Sequence, residues 1–401
     1  MTQAAGVDRL DRRGMTVLSL GHLMADSCQG AVPALLPFLV SSRGYSLAQA
    51  SALVLAATVS SSVIQPIFGH LSDRRARSWL MPLGIVAAGV GIALTGVMPS
   101  YPLTFAVVVL SGLGVAAFHP EGSRSASYVS GARRATGMSL FSVGGNIGFA
   151  VGPALVTPLV LVFGLTGTLA LAVLPAAMGL VVWRELARLG SFRPEALSAR
   201  AREDAEPDQW GPFARLAGAV ACRSVLYFGL LTFVPLWFVR ELHTSKTIGN
   251  AALTVMLISG ALGTLVGGRL ADRVGRRVVL LGSMALAVPL VAGFLAAGVV
   301  PAFVLVGLAG GVIIATFSVT VVMGQELLPG RIGVASGVTL GLSIGVGGVG
   351  ASVLGVIADH AGLSLALHLV LVFAALAALL TLSLPVEPRR RVGRDAATVV
   401  T

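Results

Sequence analysis

Charge is scarce in this chain. Only 11% of its 401 residues are Asp, Glu, Lys or Arg, against roughly 25% in soluble domains. A water-soluble fold cannot be built with so little polar surface. Cysteine is scarcer still, and both Cys28 and Cys222 fall within apolar runs. That excludes a disulfide framework and a cysteine-based metal cluster, so no metal and no cofactor is expected. Nucleotide-binding loops, nucleophile elbows and metal-ligand spacings are missing too, which argues against an enzyme. The only polar segment of any length is 187–212. Neither an extracellular domain nor a nucleic-acid-binding domain can be housed there.

Apolar residues fill the space instead. The chain is 55% hydrophobic with 50 glycines, and its mean hydropathy is +0.90. Spans need about 20 apolar residues to cross a bilayer. Twelve such runs are predicted, near 15–40, 47–69, 79–98, 102–123, 137–162 and 167–186, then 213–239, 248–268, 277–298, 301–323, 334–357 and 362–384. The first is too long, and too polar in its middle, for a cleaved signal peptide. The net charge of +11 reports topology rather than an affinity for nucleic acid. Arg43, Arg240 and Lys246 fall on one side, and Arg124 and Arg223 lie in or at the edge of spans. The other basic residues crowd into the termini and alternate loops, which the positive-inside rule assigns to the cytoplasm. The expected organisation is a cytoplasmic tail (1–14), a six-helix bundle (15–186), a cytoplasmic linker (187–212), a second six-helix bundle (213–384) and a cytoplasmic tail (385–401). The chain is thus expected to be an all-α, multi-pass protein of a bacterial inner membrane, in contact with lipid and functional as a monomer.

One pattern occurs twice. Gly69-His70-Leu71-Ser72-Asp73-Arg74-Arg75-Ala76-Arg77 follows one apolar run, and Gly268-Arg269-Leu270-Ala271-Asp272-Arg273-Val274-Gly275-Arg276-Arg277 follows another. Ala135-Thr136-Gly137-Met138-Ser139-Leu140 and Ala335-Ser336-Gly337-Val338-Thr339-Leu340 keep nearly the same spacing. A membrane chain of two similar halves predicts two pseudo-symmetric bundles around a central cavity, the architecture of a secondary transporter.

The Gly-x-x-x-Asp-Arg-x-x-Arg loops resemble the signature of the major facilitator superfamily. The second copy is nearly complete; the first has Ala76 where the family favours glycine and Ser78 where it favours a basic residue. Gly145-Asn146-Ile147-Gly148-Phe149-Ala150-Val151-Gly152-Pro153 in span 5 is similar to the glycine-rich motif of the drug–proton antiporter branch. Gly21 through Gln29 with Pro33 and Pro37, Gln65-Pro66, Phe118-His119-Pro120-Glu121-Gly122-Ser123-Arg124 and Gly144-Gly145-Asn146 resemble the fosmidomycin-resistance transporters. That resemblance implies proton-driven export of small drugs, an anionic phosphonate among them.

Ionisable groups inside spans are costly, so each is a candidate for function. Ser19, His22, Asp26, Gln29 and Pro33 recur at three- and four-residue steps and share one helical face. Asp26 near mid-span and His22 one turn away are candidate proton carriers; alternatively they only hydrogen-bond each other and lock the helix. His119 and Glu121 form a second candidate proton site at the end of span 4, with Arg124 as an anion contact. The alternative is an intrahelical Glu121–Arg124 pair at the membrane edge. Arg223 in span 7 requires a carboxylate, an anionic substrate or water. Its candidate partners are Asp26 and Glu121, and exchange of that ion pair for proton and substrate would give antiport a mechanism. Gln29, Gln65, Asn146, Phe118 and Phe141 complete the candidate substrate contacts, although aromatic residues in spans more often pack against neighbours. Asp73, Arg74, Arg77, Asp272, Arg273 and Arg276 are read as gate residues, in which ion pairs specific to one state bias a rocking equilibrium. Gly148, Gly152 and Pro153 are read as letting span 5 pack tightly and bend. The expected activity is proton-coupled efflux of a small molecule by alternating access. The alternative is a proton-coupled importer of a sugar, an organic acid or another nutrient.

Overall fold

Helix formation follows the apolar runs, and polar or glycine residues mark the ends. The computed structural model describes residues 10–65, 68, 77–131, 133–192, 207–331, 334–335, 338–339 and 343–385. The first bundle holds α1 (Arg12–Arg43), α2 (Leu47–Ser62), α3 (Leu80–Leu94), α4 (Tyr101–Val129), α5 (Arg134–Phe163) and α6 (Val173–Gly190). The second holds α7 (Trp210–Arg240), α8 (Lys246–Val274), α9 (Arg276–Ala296), α10 (Val299–Leu327), α11 (Ser343–Ala361) and α12 (Leu363–Leu382). Asp11 caps α1 by accepting from the Gly14 amide, and Gly44 ends it at φ 66°, a left-handed geometry that favours glycine. A turn at Ala315–Thr316 interrupts α10.

Three details differ from the sequence expectation. Span 6 opens with a 3₁₀ stretch, Gly164–Ala172, before α6 proper. Gly164 at φ 63° turns the chain sharply enough there to break the helix. Helix α6 then continues to Gly190, past the expected edge of the linker. Helix α4 runs on to Val129, so His119, Glu121 and Arg124 lie within it rather than at its end. Residues 193–206, Asp73 and Arg74 lie outside the described residues.

Within each bundle the repeat is visible in the packing. Helix α1 lies along α5 as α7 lies along α11, and α4 packs on α2 as α10 packs on α8. The two bundles meet chiefly along α2–α11 and α5–α8. Glycine makes the α1–α5 contact close. A Cβ at Gly144 would sit 2.3 Å from the Ser19 carbonyl oxygen, and one at Gly148 would sit 2.3 Å from that of Leu23. In membranes such small-residue contacts supply the packing that hydrophobicity cannot.

Two sets of hydrogen bonds join the bundles among the described residues, both at the end remote from the termini. The Asp359 carboxylate at the end of α11 accepts from the Leu47 and Ala48 amides at 2.7 and 2.8 Å. The Ser46–Gln49 capping box satisfies the neighbouring amides. Helix α2 therefore has its orphan donors satisfied partly by its own residues and partly by the other bundle. Asn250 Nδ2 of α8 donates to the Ala34 carbonyl at 3.0 Å and to Thr157 Oγ1 at 2.9 Å.

A histidine–aspartate cluster and a buried arginine across one cavity

A cavity of about 310 Å³ lies between the bundles. Its walls come from α1, α2, α4 and α5 on one side and α7, α8, α10 and α11 on the other. Among the described residues α3, α6, α9 and α12 contribute nothing to the lining. The lining residues lie toward the half of the molecule that holds the termini. The Asp359 and Asn250 contacts close the other end.

The polar stripe of α1 faces this cavity, as its spacing predicts: His22, Asp26 and Gln29 line it. His119 of α4 comes to meet them. His22 Nε2 lies 3.2 Å from Asp26 Oδ2, and His119 Nε2 lies 3.3 Å from Asp26 Oδ1. The two Nε2 atoms are 3.2 Å apart. Each ring is fixed from behind. His22 Nδ1 is 2.7 Å from the Phe141 carbonyl, and His119 Nδ1 is 2.9 Å from the Val115 carbonyl. Phe141 also stacks on His22, with centroids 4.1 Å apart. Gly145 of α5 leaves the room the cluster needs, because a Cβ there would lie 2.5 Å from His22 Nε2 and 2.6 Å from Asp26 Oδ2.

Two imidazoles thus enclose the Asp26 carboxylate. The donor atoms of His22, Asp26 and His119 all lie within 4.8 Å of one another, so by type and spacing they could also take up a divalent ion. The sequence gives no sign of this grouping, because His119 is 97 residues from His22.

Across the cavity Arg223 of α7 is 3% exposed. Its guanidinium reaches Thr316 Oγ1 at 3.5 Å and Thr320 Oγ1 at 3.4 Å, and lies 5.3 Å from the Phe317 ring centroid. Neither expected carboxylate pairs with it. Asp26 is held by the imidazoles, and Glu121, fully buried, lies 3.3 Å from Arg124. Hence a buried cation faces the cavity with two long hydroxyl contacts, a phenyl ring and, among the described residues, no carboxylate.

Gln65 and Asn146 line the cavity with Arg223. Phe118, Phe141, Glu121 and Arg124 do not line it. Phe118 and Phe141 are buried and pack around His22. Of the expected gate residues, Arg77 is half-buried just before α3, and Asp272 and Arg273 are exposed with no ion pair among the described residues. Arg276 instead pairs with Glu326 at 2.5 Å. Gly148 and Gly152 serve the α1–α5 contact, and the Pro153 carbonyl accepts from Thr157 Oγ1. Several residues at the site escaped the sequence reading, notably Ser142, Tyr227 and Phe317. Phe317 could have been sought one turn of α10 from Thr320, on the face opposite a lone arginine.

The comparisons with known proteins agree with this architecture. An uncharacterised MFS-type transporter of Bacillus subtilis (strain 168), YfnC, is 35% identical over 368 residues, covering 87% of each chain. The fosmidomycin resistance protein of Escherichia coli (strain K12) is 31% identical over 375 residues, covering 92% of this chain and 91% of its own. The proline/betaine transporter of the same organism is 26% identical and covers 71% of this chain and 64% of its own. Among solved structures, a bacterial homologue of the human lysosomal transporter Spinster, in an inward-facing and occupied conformation, superposes with a TM-score of 0.77. It is 14% identical and covers 93% of this chain and 96% of its own. The Major Facilitator Superfamily pattern matches residues 18–337, which span the first half and much of the second, and again 216–399, which cover the second half. Twin bundles, an eight-helix cavity wall and this coverage lead to one conclusion: the chain belongs to the Major Facilitator Superfamily and is an integral membrane transporter.

Proposed function

We propose that this transporter exports a small anionic compound from the bacterial cytoplasm in exchange for protons. A single juxtaposition carries the reading: a titratable cluster on one cavity wall faces a buried guanidinium on the other. A guanidinium that has no carboxylate partner among the described residues is matched by an anion that brings its own charge. His22, Asp26 and His119 supply the groups on which a proton can ride. Gln29, Gln65 and Asn146 add neutral hydrogen-bonding groups that can orient a ligand.

The distribution of Arg and Lys supports cytoplasmic termini in an inner membrane. With that orientation the cavity lies toward the cytoplasm and the Asp359 and Asn250 contacts close the outer end. A substrate would enter from inside, and rocking of the bundles about α2–α11 and α5–α8 would expose it outside. The relative named for fosmidomycin resistance supports export and an anionic drug as cargo. The more distant relative named for proline and betaine transport fits the cargo of the rival reading, a small nutrient.

The test is fosmidomycin susceptibility of a sensitive bacterial host expressing the chain, beside equally expressed Asp26→Asn and Arg223→Gln variants. Resistance from the unmodified chain and none from either variant is expected. Arg223→Gln that protects as well as the unmodified chain would remove the anion contact. Sensitivity of all three hosts would remove the phosphonate reading and bring the importer forward.

A further inference from the structure

The two walls of the cavity differ in chemistry. The first bundle lines it mostly with hydrogen-bonding groups, and among the described residues it brings no arginine or lysine there. The second bundle lines it with Phe228, Leu257, Ile314, Phe317 and Ile344, and sets one cation, Arg223, among them. Arg223 is held from one side. Its Nη1 alone makes both threonine contacts, and the Thr316 and Thr320 hydroxyls donate in turn to the Ile313 and Phe317 carbonyls at 2.7 and 2.9 Å. Each hydroxyl oxygen is thereby left as an acceptor for the guanidinium. Nε and Nη2 have no partner among the described residues and are open to the cavity. One turn further along α7, Tyr227 also lines the cavity, and its hydroxyl has no hydrogen-bond partner among the described residues.

We propose that the cargo is an amphipathic acid. Its acid group is clamped between the open edge of Arg223 and the Tyr227 hydroxyl, and its apolar body lies on the shelf formed by Phe228, Leu257, Ile314, Phe317 and Ile344. This rests on the anion-export reading above and names the class of anion. Residues four apart on a helix stand side by side, so the guanidinium fork and the phenol can each take an oxygen of the same carboxylate, sulfonate or phosphonate. The shelf begins where the clamp ends. The Phe317 ring centroid lies 5.3 Å from the guanidinium carbon, and the Phe228 ring lies 5.4 Å from that of Tyr227. A body attached to the bound acid group therefore meets apolar surface directly. The cavity volume, about 310 Å³, suits a small drug-like ligand.

Ser62 is an independent sign of a ligand. It is 3% exposed, it lines the cavity at the end of α2, and its Oγ has no hydrogen-bond partner among the described residues. Leaving a buried hydroxyl so is costly, and a polar edge of the cargo restores the bond. With Gln29, Gln65 and Asn146 it faces the shelf from the other wall. The cargo is thus gripped by its acid group and its body on the second bundle, and by its polar edge on the first. A sugar lacks the acid group and the apolar body; a small inorganic anion lacks the body.

The measurement is isothermal titration calorimetry of the full chain in lipid nanodiscs, with two ligands that share one acid group: fosmidomycin, and a derivative carrying a phenyl ring beside the phosphonate. The derivative is expected to bind about tenfold tighter or more, the gain from burying one added ring. Ile314→Ser and Leu257→Ser, on α10 and α8, are each expected to cut that ratio by roughly threefold or more. Arg223→Gln and Tyr227→Phe are expected to weaken both ligands by the same factor and leave the ratio standing. A merely structural role for Ile314 or Leu257 would move both ligands together and spare the ratio. Equal or weaker binding of the derivative to the unmodified chain, or a ratio untouched by both serine variants, would overturn the inference and leave the anion reading standing. Failure of both ligands to bind would remove the anion reading, and this inference with it.

Discussion

The Asp359 carboxylate offers a direct test of how the bundles are held. It accepts two amide hydrogen bonds from the first turn of α2, at 2.7 and 2.8 Å, and it belongs to the opposite bundle. Loss of a side-chain helix cap costs about 1 kcal/mol, and an anion at a helix N-terminus contributes a further ~0.3–1 kcal/mol. Asp359→Ala removes both terms from the conformation with the remote end closed. Once that end opens it removes neither, because α2 and α11 have separated. The equilibrium should therefore move toward the open-ended state by about 1–2 kcal/mol, a factor of roughly 5–30. Spin labels on the exposed Ser42 and His360, measured by double electron–electron resonance in nanodiscs, report the opening. A longer-distance population should grow by that factor in Asp359→Ala. Asp359→Asn, which keeps one acceptor oxygen without the charge, should fall between. A distance distribution unchanged in Asp359→Ala would refute the reasoning, since it would mean that the carboxylate contributes no more than the water that replaces it.

Two further outcomes follow from close contacts. Gly145→Ala places a methyl 2.5 Å from His22 Nε2, while Phe141 blocks retreat of the ring on the other side. Overpacking of this kind costs about 1–3 kcal/mol, so the variant should melt earlier and lose fosmidomycin protection; unchanged melting and protection would contradict the packing. Gly348→Ala brings a methyl 2.0 Å from Thr58 Oγ1 across the bundle interface. Thr58→Ala should restore part of the lost thermal stability, with a coupling of about 0.5–3 kcal/mol in a double-mutant cycle; additive effects would show that the two residues do not meet.

Much of the fold was legible because its causes are local. Apolar run length sets a span, and the recurrence of Asp73-Arg74 as Asp272-Arg273 exposes the duplication. The α1 stripe was legible for the same reason, since a helical period decides what shares a face. What remained hidden depends on tertiary packing. His119 looked like a residue at a helix end beside Glu121, yet α4 continues and turns His119 toward Asp26 while Glu121 points away and pairs with Arg124. Phe118 and Phe141 read as ligand contacts because aromatic side chains suit both tasks; their burial around His22 was decided by α4 and α5 meeting α1. Asp359 had a local sign, a carboxylate at the end of an apolar helix. Its partner amides lie 311 and 312 residues away, beyond any local pattern.

The contact between α2 and α11 also has a mechanical side. Gly348 faces Thr58 and Gly355 faces Ser51, so bare backbone lies against short side chains where the two bundles touch. Large residues would interlock there like gear teeth, and every swing would force them through eclipsed rotamers. Under the rocking proposed above, a smooth track would let one half tilt against the other. The joint would then work as a plain bearing, with backbone and short side chains where interlocking ones would otherwise meet.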